Sequence, residues 1–470
     1  MVFSTASFLY AFLPAFLLCY TILPWKNAVA LIFSLLFFSW GEGVYVVLLL
    51  AVIVGNYLLG ERVALLRGRS GAALMLGLGV AFNLLVLGYY KYFGFLVSDL
   101  LGLDVPASTI VHLPLGISFF IFQSISYLID VYRGDAEPAD SVFDLALYIA
   151  MFPQLIAGPI VRYGSVASAL RQREVRLADV ARGIQLFSLG LAYKMLLANN
   201  CAELADSVFA KDPETLRMAT AWLGIVAYSL QILFDFAGYS LMAIGLGRLM
   251  GFHFPRNFNF PYISRSISEF WRRWHMSLSS WFRDYLYIPL GGNRAGPLKT
   301  YRNLFLVFFL CGLWHGAAWT FVAWGLFHGF LLVIERAGLG RKLEQMPAVL
   351  SHSYTLLAVM VGWVLFRAES FGHAAGYLTR MFTPGGSEAV VYAAEVSTNE
   401  NLFMLGVALL MCLPWLEGGR WRSWDDEHSE PLAGGRLAIC FDSLMIITLL
   451  CLCSVYVASG TYNPFIYFRF

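Results

Sequence analysis

The chain has 470 residues, 59% of them hydrophobic and only 13% charged, with a mean hydropathy of +0.67. A water-soluble domain cannot bury that much apolar surface, so lipid is the solvent, and a net charge of +2 leaves no electrostatic footprint for nucleic acid. Apolar runs recur along the whole length without the strict alternation of a barrel strand, which predicts one all-α polytopic membrane domain over 1–470.

The first run, 7–23, has no basic leader and no small-x-small cleavage site, and predicts a retained helix. Further spans are predicted over 44–60, 72–97, 113–129, 183–198, 222–250, 354–366, 402–415 and 437–457. With the less regular apolar segments 28–40, 143–160 and 303–335, the total is roughly 10–13 membrane helices. Cys19, Cys311, Cys412, Cys440, Cys451 and Cys453 fall inside apolar runs and read as small buried hydrophobes, whereas Cys201 is near a predicted aqueous loop.

Lys and Arg placement sets the orientation. Arg162, Arg171, Arg173, Arg176 and Arg182 mark one cytoplasmic stretch, and Arg256, Arg265, Arg272, Arg273, Arg283, Arg294, Lys299 and Arg302 mark another. Between them, 199–221 carries Glu203, Asp206, Asp212 and Glu214 against Lys211 and Arg217, and predicts an outside loop. Two segments then break the alternation of sides. The segment 143–160 would start and end inside, and Phe152-Pro153 and Gly158-Pro159 interrupt it, which predicts a re-entrant segment beside protein or a polar cavity. The segment 303–335 has basic flanks at both ends and is too short for two spans of about 20 residues, which predicts a short helical pair; one long tilted helix is the alternative.

The stretch 270–292, rich in Trp, Tyr and Arg, predicts an amphipathic helix in the headgroup layer. That reading leaves unexplained a histidine, His275, among its aromatic residues. His315 lies twelve residues beyond Asn303, roughly 18 Å along a helix, and an ionisable group at such depth is a functional candidate. Gly312 and Gly316 beside it permit close approach of a backbone or a ligand. An interhelical hydrogen bond is the competing role for His315. No metal site is expected, because zinc needs three or four converging ligands, the sequence names no such set, and His328 would be about 20 Å from His315 on a continuous helix. Lys91 and Lys194 are expected to snorkel, Asp130 to close a span, and Asp235 to line a pathway or meet a partner, since facing lipid would cost about 2.5–3.5 kcal/mol. His112, His253, His352, His373 and His428 read as solvated surface.

Trp274-His275-x-Ser277 with Trp281-Phe-Arg-Asp-Tyr285, followed by Gly312-Leu-Trp-His315-Gly316, resembles the membrane-bound O-acyltransferase family. The likeness is greatest to the bacterial branch that acetylates alginate, a branch that also covers cellulose acetylation and D-alanylation of teichoic acids. Phe152-Pro-Gln-Leu-Ile-Ala-Gly-Pro159, Phe234-Asp-Phe-Ala-Gly-Tyr-Ser240 and Asn463-Pro-Phe-Ile-Tyr-Phe-Arg-Phe470 extend it nearly end to end. The resemblance implies a ring or funnel of helices with a thin centre in the bacterial inner membrane. It implies His315 as the catalytic histidine and His275 as the second polar residue of the site, with no resident cofactor. It also implies a cytoplasmic acyl donor, acetyl-CoA, and a periplasmic acetyltransferase that passes the group to the polymer. Arg272, Arg273 and Arg283 are then expected at the donor entrance, where guanidinium groups pair with phosphates. A buried neutral imidazole can take the proton of an attacking hydroxyl, and with no Ser or Cys adjacent to His315 direct transfer is preferred to an acyl-enzyme. A transporter or flippase for a lipid-linked sugar or acyl group would also use broken helices and midplane polar residues, but no inverted repeat is visible. A non-catalytic scaffold for polysaccharide export is a third reading.

Overall fold

The computed structural model describes residues 2–103, 106, 111–294, 296–384, 391–414, 436–460 and 462–464, and its regular structure is helical apart from an isolated bridge between Leu216 and Val391. Six stretches among these residues are long and apolar enough to cross a membrane: Lys26–Leu65, Ser70–Tyr92, Met218–Met250, Trp319–Gln345, Ala348–Arg367 and Ile439–Ala458. The predicted spans 7–23 and 402–415 are shorter apolar helices, Phe8–Ile22 and Asn399–Met411. The chain divides into two compact units, Met1–Phe187 with Ser240–Pro255, and Ser188–Tyr239 with Arg256–Phe470.

The first unit contains α1 (Leu13–Ile22), α2 (Lys26–Glu42), α3 (Val46–Leu65), α4 (Ser70–Leu87), α5 (Ile117–Arg133) and α6 (Val142–Ala150). Gly43, at φ +55°, turns the chain between α2 and α3 in a conformation that a side chain would strain. Ile32, Leu36, Val47, Leu58, Leu74 and Leu85 are exposed, as suits helices solvated by lipid. Polar groups face inward and in pairs: the Asn56 and Asn83 amides exchange hydrogen bonds of 3.1 and 2.7 Å between α3 and α4. Lys91 donates to Ser118 Oγ at 3.1 Å instead of snorkelling.

After α6 the backbone leaves the helix at Met151, makes one short turn over Phe152–Leu155 and continues without regular structure, buried throughout 156–161. Gly158 packs so closely that a Cβ there would stand 2.5 Å from Gln154 Cα. The freed groups find partners within the unit: Phe152 N donates to Ser34 Oγ and the Tyr148 hydroxyl to the Val161 carbonyl. The predicted break at Pro153 and Gly158-Pro159 is therefore present and embedded in protein, where irregular backbone is tolerated.

Two helices contribute to both units, α7 (Leu177–Ala192) and α9 (Met218–Met250), with α8 (Asn199–Phe209) between them. The predicted outside loop is thus helical over 199–209, because Cys201, Leu204, Ala205 and Val208 form a buried stripe beneath the acidic residues that suggested solvent. In the second unit, Gly238 approaches the Gly190 carbonyl so closely that a Cβ would lie 2.7 Å away. That contact brings Lys194 and Asp235 into an ion pair of 2.9 Å, with side chains only 2% and 1% exposed. Lys194 does not snorkel. It also donates to the Pro464 carbonyl, and Asn199 donates to Asn463 Oδ1 at 3.2 Å, so the start of the C-terminal motif docks here; its residues 465–470 lie outside the described residues.

The remaining labelled helices of the second unit are α10 (Ile267–Arg273), α11 (Met276–Phe282), α12 (Pro297–His315), α13 (Trp319–Ile334), α14 (Ala348–Arg367), α15 (Asn399–Met411) and α16 (Arg436–Ala458). Their core is aromatic, with Phe270, Trp271, Trp274, Trp324 and Trp363 all buried. Cys440 and Cys451 are exposed on α16, contrary to the buried role expected of them, because α16 turns most of its apolar surface outward.

Candidate active site

α12 begins at Pro297, whose fixed φ suits a first helical turn, and Asn303 on it donates 3.1 Å hydrogen bonds to the Leu290 and Gly292 carbonyls of the preceding turn. The helix stops at His315. Gly316 and Ala318 are extended, and α13 turns back along α12. Contact is backbone to backbone: a Cβ on Gly312 would lie 2.3 Å from the Phe321 carbonyl oxygen, and one on Gly325 would lie 2.2 Å from that of Phe308. The segment is therefore a helical pair and not one tilted helix. It is longer than the predicted 303–335, starting at Pro297 and continuing past a kink at Gly338 to Gln345, so its second arm alone has the length of a span. Gly312 serves the packing of this hairpin, and Gly316 makes room for the Phe321 ring.

His315, 7% exposed, sits at the hairpin's turn among Trp314, Trp324 and Phe366, with ring centroids 5.0, 5.0 and 5.3 Å away. The indole N–H of Trp324 is buried with no acceptor among the described residues.

The second histidine is placed differently. α10 starts with a Ser-x-x-Glu capping box: Ser266 Oγ accepts from Glu269 N at 3.0 Å, and Glu269 reaches back to Arg265 N at 2.9 Å. The Glu335 carboxylate accepts from Ile267 N and Ser268 N at the same helix end. The helix ends after seven residues, and His275 adopts the left-handed conformation, φ +41° and ψ 55°, before α11 begins. An extended segment from the preceding loop causes this break. The Asn257 carbonyl accepts from Met276 N at 2.9 Å, its Oδ1 accepts from Ser277 N at 3.1 Å, and Asn259 N donates to the Arg273 carbonyl at 2.9 Å. The single headgroup helix expected over 270–292 is thus two short buried helices, with the histidine at their junction.

His275 is fully buried, with the Phe236 ring edge-on at 4.5 Å. Trp314 links the two histidines, 6.1 Å from His275 and 5.0 Å from His315. Burial above all, and the neighbouring His315 imidazole second, hold His275 well below the usual imidazole range, so it is neutral. His328 is closer to this group than a continuous helix would allow, because the chain turns at 316–318: its ring is 5.1 Å from Trp324, and its Nδ1 accepts from Trp271 Nε1 at 3.3 Å. No cluster of three or more His, Cys, Asp or Glu with metal-holding geometry occurs among the described residues.

The three arginines have different surroundings. Arg273 pairs with Glu269 at 2.9 Å, Arg283 makes a two-pronged contact with Asp284 at 2.7 and 3.1 Å, and Arg272 is exposed. A cavity of about 190 Å³ lies against the hairpin, lined chiefly by Trp271, Leu278, Phe282, Val307 and Cys311, with Arg283 also on its wall. Cys311 is one helical turn before His315. Asp235 is ion-paired with Lys194 at 2.9 Å. Of the histidines expected at the surface, His253 and His112 contact Asp179 and Glu42 at 3.2 Å, and the His352 ring lies 3.1 Å from the Ser264 carbonyl. His373 packs against Phe209 and Tyr377, and His428 lies outside the described residues. Sequence reasoning missed Asn257, Trp314 and Trp324. The only signal for Asn257 was an amide inside the aromatic run Arg256-Asn-Phe-Asn-Phe-Pro261.

Residues 139–338 match the membrane-bound O-acyltransferase family, a stretch that contains both histidines. Over the full length of both proteins, the chain is 42% identical to the probable alginate O-acetylase AlgI of Pseudomonas putida. It is 36% identical to the peptidoglycan O-acetyltransferase of Helicobacter pylori, over 86% of this chain and 85% of that protein. The teichoic acid D-alanyltransferase of Bacillus subtilis is 29% identical over 55% of this chain and 70% of its own. Names that differ in acyl group and acceptor share acyl transfer, and likeness over whole chains places this polytopic protein in the membrane-bound O-acyltransferase family, as an acyltransferase of the alginate O-acetylase type.

Proposed function

We propose that this acyltransferase takes an acetyl group from acetyl-CoA on the cytoplasmic side of the bacterial inner membrane and delivers it outward, through a periplasmic acetyltransferase, for O-acetylation of an exported polysaccharide such as alginate. The observation that supports the reading most is the meeting of His275 and His315 about Trp314, at the turn of a hairpin whose glycines let the two backbones touch. His315 takes the proton of the acceptor hydroxyl as its oxygen attacks the thioester carbonyl. The C–S bond breaks, and the departing thiolate recovers the proton from His315. A base in this role typically contributes about 10²–10⁴ in rate. His315 is also the last residue of α12, where helix carbonyls favour the positive charge it acquires in the step.

Within this proposal Arg272, exposed, is the best placed of the three arginines for donor phosphates, since Arg273 and Arg283 already hold carboxylates. Asp235 is read as holding α9, through Lys194, to the helical segment Tyr193–Ala198 between α7 and α8, with less support for a pathway-lining role. The test is release of free CoA from acetyl-CoA by the purified full-length protein supplied with a hydroxyl acceptor, which also separates an enzyme from a flippase or scaffold. Release is expected from the unaltered protein and lost in His315→Ala. No release from the former, or full release from a folded His315→Ala protein, overturns the reading.

A further inference from the structure

Asn257 is 1% exposed, and its Oδ1 meets three groups: Ser277 N at 3.1 Å, Ser277 Oγ at 2.9 Å and His275 Nδ1 at 3.1 Å. A backbone amide only donates, so the atom facing Ser277 N must be the oxygen of the Asn257 side chain, which fixes the orientation of that amide group. An oxygen that only accepts requires a proton on His275 Nδ1. A neutral imidazole carries a single ring proton, so the lone pair belongs to Nε2. That nitrogen is buried and has no hydrogen-bond partner among the described residues. The backbone supports the same arrangement. The left-handed conformation of His275 is strained for a residue with a side chain and persists where neighbours over-determine it, here through the Met276 and Ser277 amides bound to Asn257.

We propose that Asn257 is a positioning residue that fixes His275 as the Nδ1–H tautomer, so that its bare Nε2 binds an O–H or N–H of a substrate and cannot donate to the thioester oxygen. This rests on the reading that His275 and His315 form the acyl-transfer site. It assigns the two histidines separate tasks: His315 moves the proton, and His275 accepts a hydrogen bond that orients the substrate. Stabilisation of the oxyanion then falls to another donor.

The test is ¹⁵N NMR of the full-length, histidine-labelled protein in bilayers, with the His275 signals assigned by their loss in His275→Gln. The unaltered protein is expected to show a protonated Nδ1 and a bare Nε2. Asn257→Leu removes the acceptor. His275 should then populate both tautomers, and O-acetyl content of the polymer exported by producing cells should fall by about 10-fold, as for a weakened hydrogen bond to substrate. Asn257→Asp offers the same three donors an acceptor and should keep the proton on Nδ1. The opposite tautomer in the unaltered protein overturns the proposal, as does a folded Asn257→Leu protein with unchanged acetylation. Should the Leu variant fail to accumulate, the spectra of the unaltered and Asp proteins decide. His315→Ala in the same cells separates the two readings: full acetylation there overturns the acyl-transfer reading, whereas the His275 tautomer bears on Asn257 alone.

Discussion

His315 stands at the last residue of a helix of nineteen residues, whereas His275 stands between two helices of seven. The first is placed by its own neighbourhood. A regular helix carries it inward, a three-residue turn ends the helix, and glycines on both arms bring the hairpin together. The second is placed by residues 18 to 20 positions away, because Asn257 takes the amides that would otherwise continue α10. A group on a regular element inherits its position from helix geometry. A group at a break depends on every hydrogen bond that holds the break open, and that dependence separates the effects of substitution.

The largest effect should come from the histidines themselves. His315→Ala should lower polymer acetylation by about 10²–10⁴-fold with the protein still present in the membrane. His275→Ala should cost less, about 10–100-fold, since a neutral hydrogen bond to substrate contributes about 1–3 kcal/mol when a partner is left unmet. O-acetyl content per membrane-inserted protein measures both, and a His275 effect larger than that of His315 would reverse the division of tasks.

Next come the glycines of the hairpin. Gly312→Ala and Gly325→Ala each put a Cβ against backbone on the facing helix, and should lower stability by about 1–3 kcal/mol. Gly406→Ala, on α15, meets nothing within 4 Å and should leave the melting temperature unchanged or slightly raised. Thermal melts of the detergent-solubilised proteins compare the three. Equal melting temperatures would mean that the hairpin is not held by backbone contact.

The smallest effect concerns the proposed donor entrance. Arg272→Ala should raise the KM for acetyl-CoA about fivefold with kcat unchanged, the scale of one exposed charge contact. Arg273→Ala and Arg283→Ala should raise it less, because their guanidinium groups already face Glu269 and Asp284. A lower kcat at unchanged KM in the Arg272 variant would place that residue in the reaction and not at the entrance.

The sequence by itself determined whatever depends on a few consecutive residues. Hydropathy set the helical membrane class, and Pro153 and Gly158 set the break after α6. Each follows from the local cost of unpaired backbone or unpaired charge in lipid. Tertiary structure decided the rest. Asp235 and Lys194 look like separate intramembrane charges until Gly190 and Gly238 bring their helices together, and α8 looks like a loop until its apolar stripe finds a core. The break at His275 has no local cause at all, since no Pro or Gly stands there, and it exists only where the Asn257 segment captures the amides of Met276 and Ser277. Periodicity registers the pull of the core on one helix face, but a hydrogen bond between distant residues leaves no period in the chain, so the partner of a buried polar group emerges only on folding.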